Sequence, residues 1–391
     1  MHSLGIYVQI PFCASKCSFC NFSSRVEPSS LFGQYTDALE QEIDRLPAHY
    51  EALGVGEKVL TLPVDTVYFG GGTPPILGAE SLEKIARALN GRFEMAGAVE
   101  FTVEVTPGSA DRQFLEGALG MGINRLSIGA QTFQERELRA VGRLHSAADT
   151  AELVQTARGA GFTNLSLDLV AGLPHQTPES WRGNLEAVLR LAPQHVSLYL
   201  FEIDEKSRLG REVMQGGSRY HASTVPGEEF RADAYESGRE ALGREGYVQY
   251  EISNFARPGH ESRHNLKYWR LAPYLGLGAG AHSFDGTRRW ANLDSAGSYM
   301  QELASARTPI ADVRRLSLEE QVEEFFFLGL RQAEGVSLEA ARKQWGEDAL
   351  SRWRDKIETL ARDGLLTARG DNFRLAGAAY LVSNEVFQEF V

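Results

Sequence analysis

The run Leu4-Gly5-Ile6-Tyr7-Val8-Gln9-Ile10-Pro11-Phe12-Cys13-Ala14-Ser15-Lys16-Cys17-Ser18-Phe19-Cys20 decides how the rest of the chain is read. A strand-like segment over 4–10 feeds a loop that holds all three cysteines of a 391-residue chain. A cubane iron-sulfur cluster has four irons normally tied by four thiolates, so three thiolates on one short loop leave one iron with an open coordination position. A structural zinc needs a fourth ligand, and the nearest imidazoles, His2 and His49, lie outside finger spacing. A disulfide framework fits neither the odd count nor the tight spacing. Cys13, Cys17 and Cys20 are therefore read as the metal ligands of a 4Fe-4S cluster.

Outward from that loop, strand-like runs recur at 4–10, 64–69, 99–105, 124–130, 164–170 and 195–201. Between them, apolar spacing predicts helices over 35–46, 81–89, 112–119, 150–160 and 180–191. Strands alternating with helices imply a parallel sheet with right-handed crossovers. Six β-α units fall short of the eight of a closed barrel, so the expectation is an α/β fold built as an open, partial barrel. The polar motifs gather at one mouth of it. Cys13 follows the first strand, Gly70-Gly71-Gly72-Thr73-Pro74 the second, Glu104 ends the third, Gln131 follows the fourth and Asp168 lies in the fifth. The glycine turn lets backbone approach a ligand closely, and it is not the Gly-x-Gly-x-x-Gly dinucleotide pattern.

Beyond the sixth strand the pattern loosens. Residues 202–225 read as an irregular connection or lid. A helix over 230–244, a strand over 247–252, the segment His264-Asn265-Leu266-Lys267-Tyr268-Trp269 and the small-residue run 275–282 read as a cap. Helices over 318–330, 338–345 and 350–363 followed by a hairpin from 364–366 and 371–375 suggest a small winged-helix-like domain. Its acidic and basic side chains are mixed, which favours packing over DNA binding. The expected domains are 1–205, 206–310 and 311–391.

A chain of 391 residues exceeds the roughly 250–300 at which one core stops growing. No apolar run of about 18 residues is present, and no export signal is visible, so a cytoplasmic protein, at most peripheral to the membrane, is expected. The net charge of -12 argues against a nucleic-acid partner.

The run Tyr7 to Phe12, the cysteine loop and Phe19 resemble the radical S-adenosylmethionine (SAM) superfamily, in which the open iron chelates SAM and one electron from the cluster breaks a sulfur-carbon bond. Over its whole length the chain is similar to the group containing oxygen-independent coproporphyrinogen III dehydrogenase and the HemW-type haem chaperones. The dehydrogenases usually carry a further cysteine where this chain has Phe22, while His264 to Trp269 matches the His-Asn-x-x-Tyr-Trp signature of the chaperone branch. Relatives often have His at the position of Gln9. The resemblance implies SAM contacts from Tyr7, Phe19, Gly71, Gly72, Thr73, Glu104, Gln131, Arg143 and Asp168. Glu202 stands where the dehydrogenase has an Ala contacting a second SAM, which speaks against a second molecule here. The resemblance also implies haem contacts from His264, Asn265, Tyr268 and Trp269, with His264 as axial ligand and His282 as a weaker alternative.

The function implied is haem delivery to haem-requiring proteins, such as membrane respiratory enzymes, with an electron donor serving the cluster. Radical decarboxylation of coproporphyrinogen III is the alternative in the enzyme class. Another radical reaction on a tetrapyrrole, such as haem ring opening, is a third.

Overall fold

The computed structural model describes residues 3–56 and 58–391. His2, weighed above as a zinc ligand, lies outside the described residues, and His49 is buried in the first helix. In chain order the barrel begins β1 (Leu4–Ile10), α1 (Ser30–Leu53), β2 (Val64–Gly71), α2 (Ala79–Arg92), β3 (Met95–Val105), α3 (Arg112–Gly120) and β4 (Arg125–Gln131). It continues with α4 (Glu135–Ala140), α5 (Ala147–Ala160), β5 (Leu165–Ala171), α6 (Pro178–Leu191) and β6 (His195–Leu200). All six expected strands are present. They pair in parallel in sequence order.

Strand alternation builds two environments from one sequence. In β1, Ile6, Val8 and Ile10 are fully buried in the main core. Tyr7 faces the other way, stacking beside Tyr68 and His264. Helix starts are fixed locally: Ser146 with Asp149, and Thr177 with Ser180, form capping boxes for α5 and α6, and Pro178 opens α6.

Residues 202–225, expected to be irregular, contain α7 (Arg208–Met214) and a short 3-10 turn at Arg219–Thr224. Ser207 caps α7 by accepting the Gly210 N–H. Leu209 and Ala222 then pack with Val141, Leu173 and Phe201 in a satellite core. A helix of one or two turns offers too few periods to be seen in sequence.

The region expected as a cap follows: α8 (Glu228–Arg244), β7 (Val248–Gln249), β8 (Asn254–Ala256), α9 (Arg263–Trp269), β9 (Tyr274–Leu277), β10 (His282–Phe284), β11 (Arg288–Asn292), α10 (Ala296–Ala304) and β12 (Ile310–Arg315). Its strands extend both edges of the sheet. β9 pairs in parallel with β1, and β8 runs antiparallel to β6. The order is β12-β11-β10-β9-β1-β2-β3-β4-β5-β6-β8-β7, open at both ends. The single strand expected over 247–252 is interrupted because the Glu251 carboxylate accepts the Ser253 N–H and folds the chain into a hairpin.

The C-terminal domain comprises α11 (Leu318–Gly329), β13 (Val336–Ser337), α12 (Leu338–Trp345), α13 (Glu347–Arg362), β14 (Leu366–Arg369), β15 (Asn372–Leu375) and α14 (Ser383–Gln388). The expected hairpin is joined by β13 in the order β13-β15-β14. Val322, Phe326, Trp353, Ile357 and Phe390 belong to a core of its own. No described helix is long and apolar enough to cross a membrane.

Candidate functional site

A cavity of about 400 Å³ opens at the mouth of the strands, and Cys13, Cys17 and Cys20 all line it. The three thiols are free and half-buried. Burial pushes the Cys17 thiol up, while the Arg143 guanidinium pulls it back. The loop is pinned by backbone: the Cys13 N–H donates to Arg25 O at 3.0 Å, and the Ser18 N–H to Val141 O at 3.0 Å.

The glycine turn forms the adjoining wall, with the Thr73 N–H donating to Phe12 O at 2.8 Å. A β-carbon on Gly72 would stand 2.4 Å from Phe12 O, and one on Gly71, at φ 95°, would stand 2.2 Å from Gln9 Oε1. Only glycine lets the end of β2 lie this close to the strand that delivers Cys13.

Of the nine residues read as SAM contacts, Phe19, Gly71, Gly72, Thr73, Glu104, Gln131, Arg143 and Asp168 line the cavity. Tyr7 does not. It sits one layer below, donating its hydroxyl to Gln9 Oε1 at 2.8 Å. Gln131 holds φ 67° at a register shift between β4 and β5, a strained arrangement that re-aims a side chain and is found at functional sites.

The electrostatics suit a zwitterion. Glu104 accepts from the Tyr68 hydroxyl and the Gly71 N–H, both at 2.9 Å. Burial pushes its pKa up to about 7, against the pull of those two donors. Burial raises Asp168 to about 6, with Ser197 and Arg125 offsetting part of the shift. Asp168 Oδ1, Arg125 Nε and Arg143 Nε are buried without a hydrogen-bond partner. Orphaned charged groups of both signs around one space call for a ligand that carries both. Three thiols, a glycine cradle and these orphans fit a cluster with SAM upon it.

Some lining residues were not singled out in the sequence: Tyr68, Arg125, Ser127, Ser197 and Tyr199. Ser127 lies four positions before Gln131 on β4, so strand period carries its signal, whereas Ser197 and Tyr199 stand on β6, which bears no assigned residue. Arg125 escapes notice because buried arginines are rare; it is 1 % exposed.

The structure corrects the assignment of His264. This residue does not face a ligand space: α9 enters the barrel beneath the cavity, and the imidazole is 1 % exposed. Nδ1 is hydrogen-bonded to Thr66 Oγ1 at 2.9 Å, and Nε2 to the Tyr268 hydroxyl at 2.9 Å. Burial, with Lys267 nearby, lowers its pKa to about 3, so the ring is neutral with both nitrogens engaged. Tyr268 packs edge-on against Tyr274, and the Arg331 guanidinium lies 4.4 Å over the Trp269 ring. Asn265 alone of the four expected haem contacts lines the cavity. Glu100 accepts the N–H groups of Arg263 and His264, and Lys267 pairs with Asp65 at 2.6 Å, so α9 is a bonded plug. His282, the alternative haem ligand, is exposed at the start of β10.

Fold and site together define a protein of the radical SAM class. The sequence profile of the radical SAM superfamily matches residues 7–188, and that of the HemN C-terminal domain matches 316–382. The chain is 35 % identical to heme chaperone HemW of Bacillus subtilis, over 98 % of each chain. It is 31 % identical to heme chaperone HemW of Lactococcus lactis, over 98 % of this chain and 96 % of that one. Among solved structures, the coproporphyrinogen III oxidase HemN of Escherichia coli superposes with a TM-score of 0.84 at 25 % identity, covering 100 % of this chain and 90 % of that one. The chain belongs to the HemW family.

Proposed function

We propose that this protein is a haem chaperone, binding haem together with a SAM-ligated 4Fe-4S cluster and passing the haem to haem-requiring proteins. The observation that carries this reading is relatedness along the entire chain to proteins named heme chaperones. Cys13, Cys17 and Cys20 would hold the cluster. Glu104, Asp168, Arg125 and Arg143 would orient SAM, with carboxylates accepting from its hydroxyl or ammonium groups and a guanidinium forking onto its carboxylate. When bound, the cluster and SAM supply one-electron cleavage of a sulfur-carbon bond. The acceptors we propose are membrane respiratory enzymes, served from the cytoplasm, with a separate electron donor for the cluster.

Likeness to the HemN structure supports a second reading, radical decarboxylation of coproporphyrinogen III. Phe22 and Glu202, both on the cavity wall, argue against it. Reconstituting the cluster anaerobically, titrating haemin and assaying decarboxylation with SAM and a reductant separates the two. Haem uptake without decarboxylation is the expected result. Decarboxylation with no haem uptake would remove the chaperone reading.

A further inference from the structure

Outside the SAM cavity, on the other side of the cluster loop, lies a second recess of about 630 Å³. Lys16, Arg139, Arg208, Tyr220 and His221 help to line it, and no carboxylate does. In a chain of net charge -12, this acid-free recess favours an anion: Lys16 donates to Phe22 O and Ser24 Oγ, Arg208 donates to Lys16 O and lies 5.3 Å over the Tyr220 ring, and Arg139 stands beside them. Two imidazoles meet at its rim: His175 Nε2 lies 3.2 Å from His221 Nδ1, with ring centroids 4.9 Å apart.

The backbone is strained to bring them together. His175, Tyr220 and His221 hold φ of 67°, 56° and 60°, a region that costs a non-glycine residue on the order of 1 kcal/mol. Thr224 secures the arrangement, accepting the His175 N–H at 3.0 Å and donating its hydroxyl to His221 O at 2.8 Å. Positive φ at both members of the contact, and at Tyr220 beside it, is the kind of outlier that points to function.

We propose that this recess is the haem dock, with His221 Nε2 as the iron ligand, the face of the Tyr220 ring turned away from Arg208 against the macrocycle, and Arg139 meeting a propionate, which Lys16 and Arg208 join on exchanging their present carbonyl acceptors. The proposal rests on the chaperone reading and gives that cargo a location. The imidazole pair supplies the chemistry. When His221 donates its Nδ1 proton to His175 Nε2, its own Nε2 lone pair is free for iron, and the partner fixes both tautomer and ring plane. His264 offers no free nitrogen. The recess also touches the cluster loop directly: Arg208 donates to Lys16 O, and the Leu209 N–H donates to Ser18 O at 2.8 Å. Haem in this position would bear on the segment between the cluster ligands.

The test is haemin titration of the full-length, cluster-reconstituted protein, followed by the Soret band. His221→Ala should weaken haemin binding tenfold or more and move the Soret maximum, with added imidazole restoring its position. His175→Ala should weaken binding by about tenfold, as loss of a ligand-orienting partner does, and His175→Gln, which keeps an acceptor oxygen, should recover most of it. Cluster absorbance serves as the folding control and should not change. Unaltered affinity and Soret position in His221→Ala, with wild type binding haemin, would overturn this dock and leave the chaperone reading standing. Absence of uptake by wild type would overturn both.

Discussion

Glu104 shows how one residue couples the cavity to stability. It reaches the cavity with its oxygens held by Tyr68 and Gly71, yet burial raises its pKa from 4.5 to about 7. A carboxyl whose folded value lies above its unfolded value leaves stability whole below the unfolded value; stability falls as pH rises toward the folded value. Between 4.5 and about 7 that amounts to up to about 3 kcal/mol. Cluster-free wild type should therefore lose more stability between about pH 5 and about pH 8 than Glu104→Gln does, measured by urea midpoints. Parallel pH profiles would show that Glu104 ionises as freely in the folded chain as in the unfolded one. The same substitution removes a carboxyl from the cavity wall proposed to hold SAM, and SAM binding to the reconstituted variant should weaken at least tenfold, read by equilibrium dialysis.

At the scale of elements, the decisive geometry is the approach of β2 to the end of β1. Gly72→Ala would place its β-carbon 2.4 Å from Phe12 O and 2.7 Å from Ile10 O. Both are backbone atoms, which cannot rotate away. The expected cost is about 1–3 kcal/mol, with poorer cluster assembly because Cys13 directly follows Phe12. Gly33→Ala in α1, where nothing lies within 4 Å, is the control and should gain up to about 1 kcal/mol from helix propensity. Equal stability and equal iron content in the two variants would remove the close-packing argument.

These elements also show what the sequence could disclose. The six barrel strands were legible because each is a buried run of apolar residues alternating with helices, and cavity-lining residues such as Glu104 and Gln131 were legible because they stand at or next to strand ends. β9 was not, since its four residues gain a partner only by reaching back to β1. The His264 signature identified relatives correctly. Its residue types could not say that α9 turns the ring inward onto Thr66, because a seven-residue helix has no periodicity to orient it. The His175–His221 pair escaped notice because its members are 46 positions apart and meet only through positive-φ turns.

The whole molecule depends on how the C-terminal domain is held against the barrel, and one buried carboxyl lies at that contact. Backbone links run from the Ile252 N–H to Arg331 O at 3.2 Å and from the Ala333 N–H to Tyr250 O at 2.9 Å. Beside them Glu251, 1 % exposed at its side chain, faces the Arg331 guanidinium at 4.0 Å. Burial raises the Glu251 pKa, and Arg331 is the main opposing influence. Arg331 also spans the junction, lying 4.4 Å over the Trp269 ring of α9 and 5.9 Å from that of Phe387 in α14. Removing one member of a buried pair strands the other, at a cost of about 3–5 kcal/mol. Arg331→Met should therefore lower the urea midpoint or split unfolding into two transitions, with the C-terminal domain separating first. Adding Glu251→Gln keeps the oxygen that accepts from Ser253 and Asn254 while removing the stranded charge, so the double variant should regain most of the loss. A double-mutant cycle measures the coupling directly. A single variant with the wild-type midpoint, or a double variant no better than the single, would show that backbone pairing and apolar contact alone hold the two domains together.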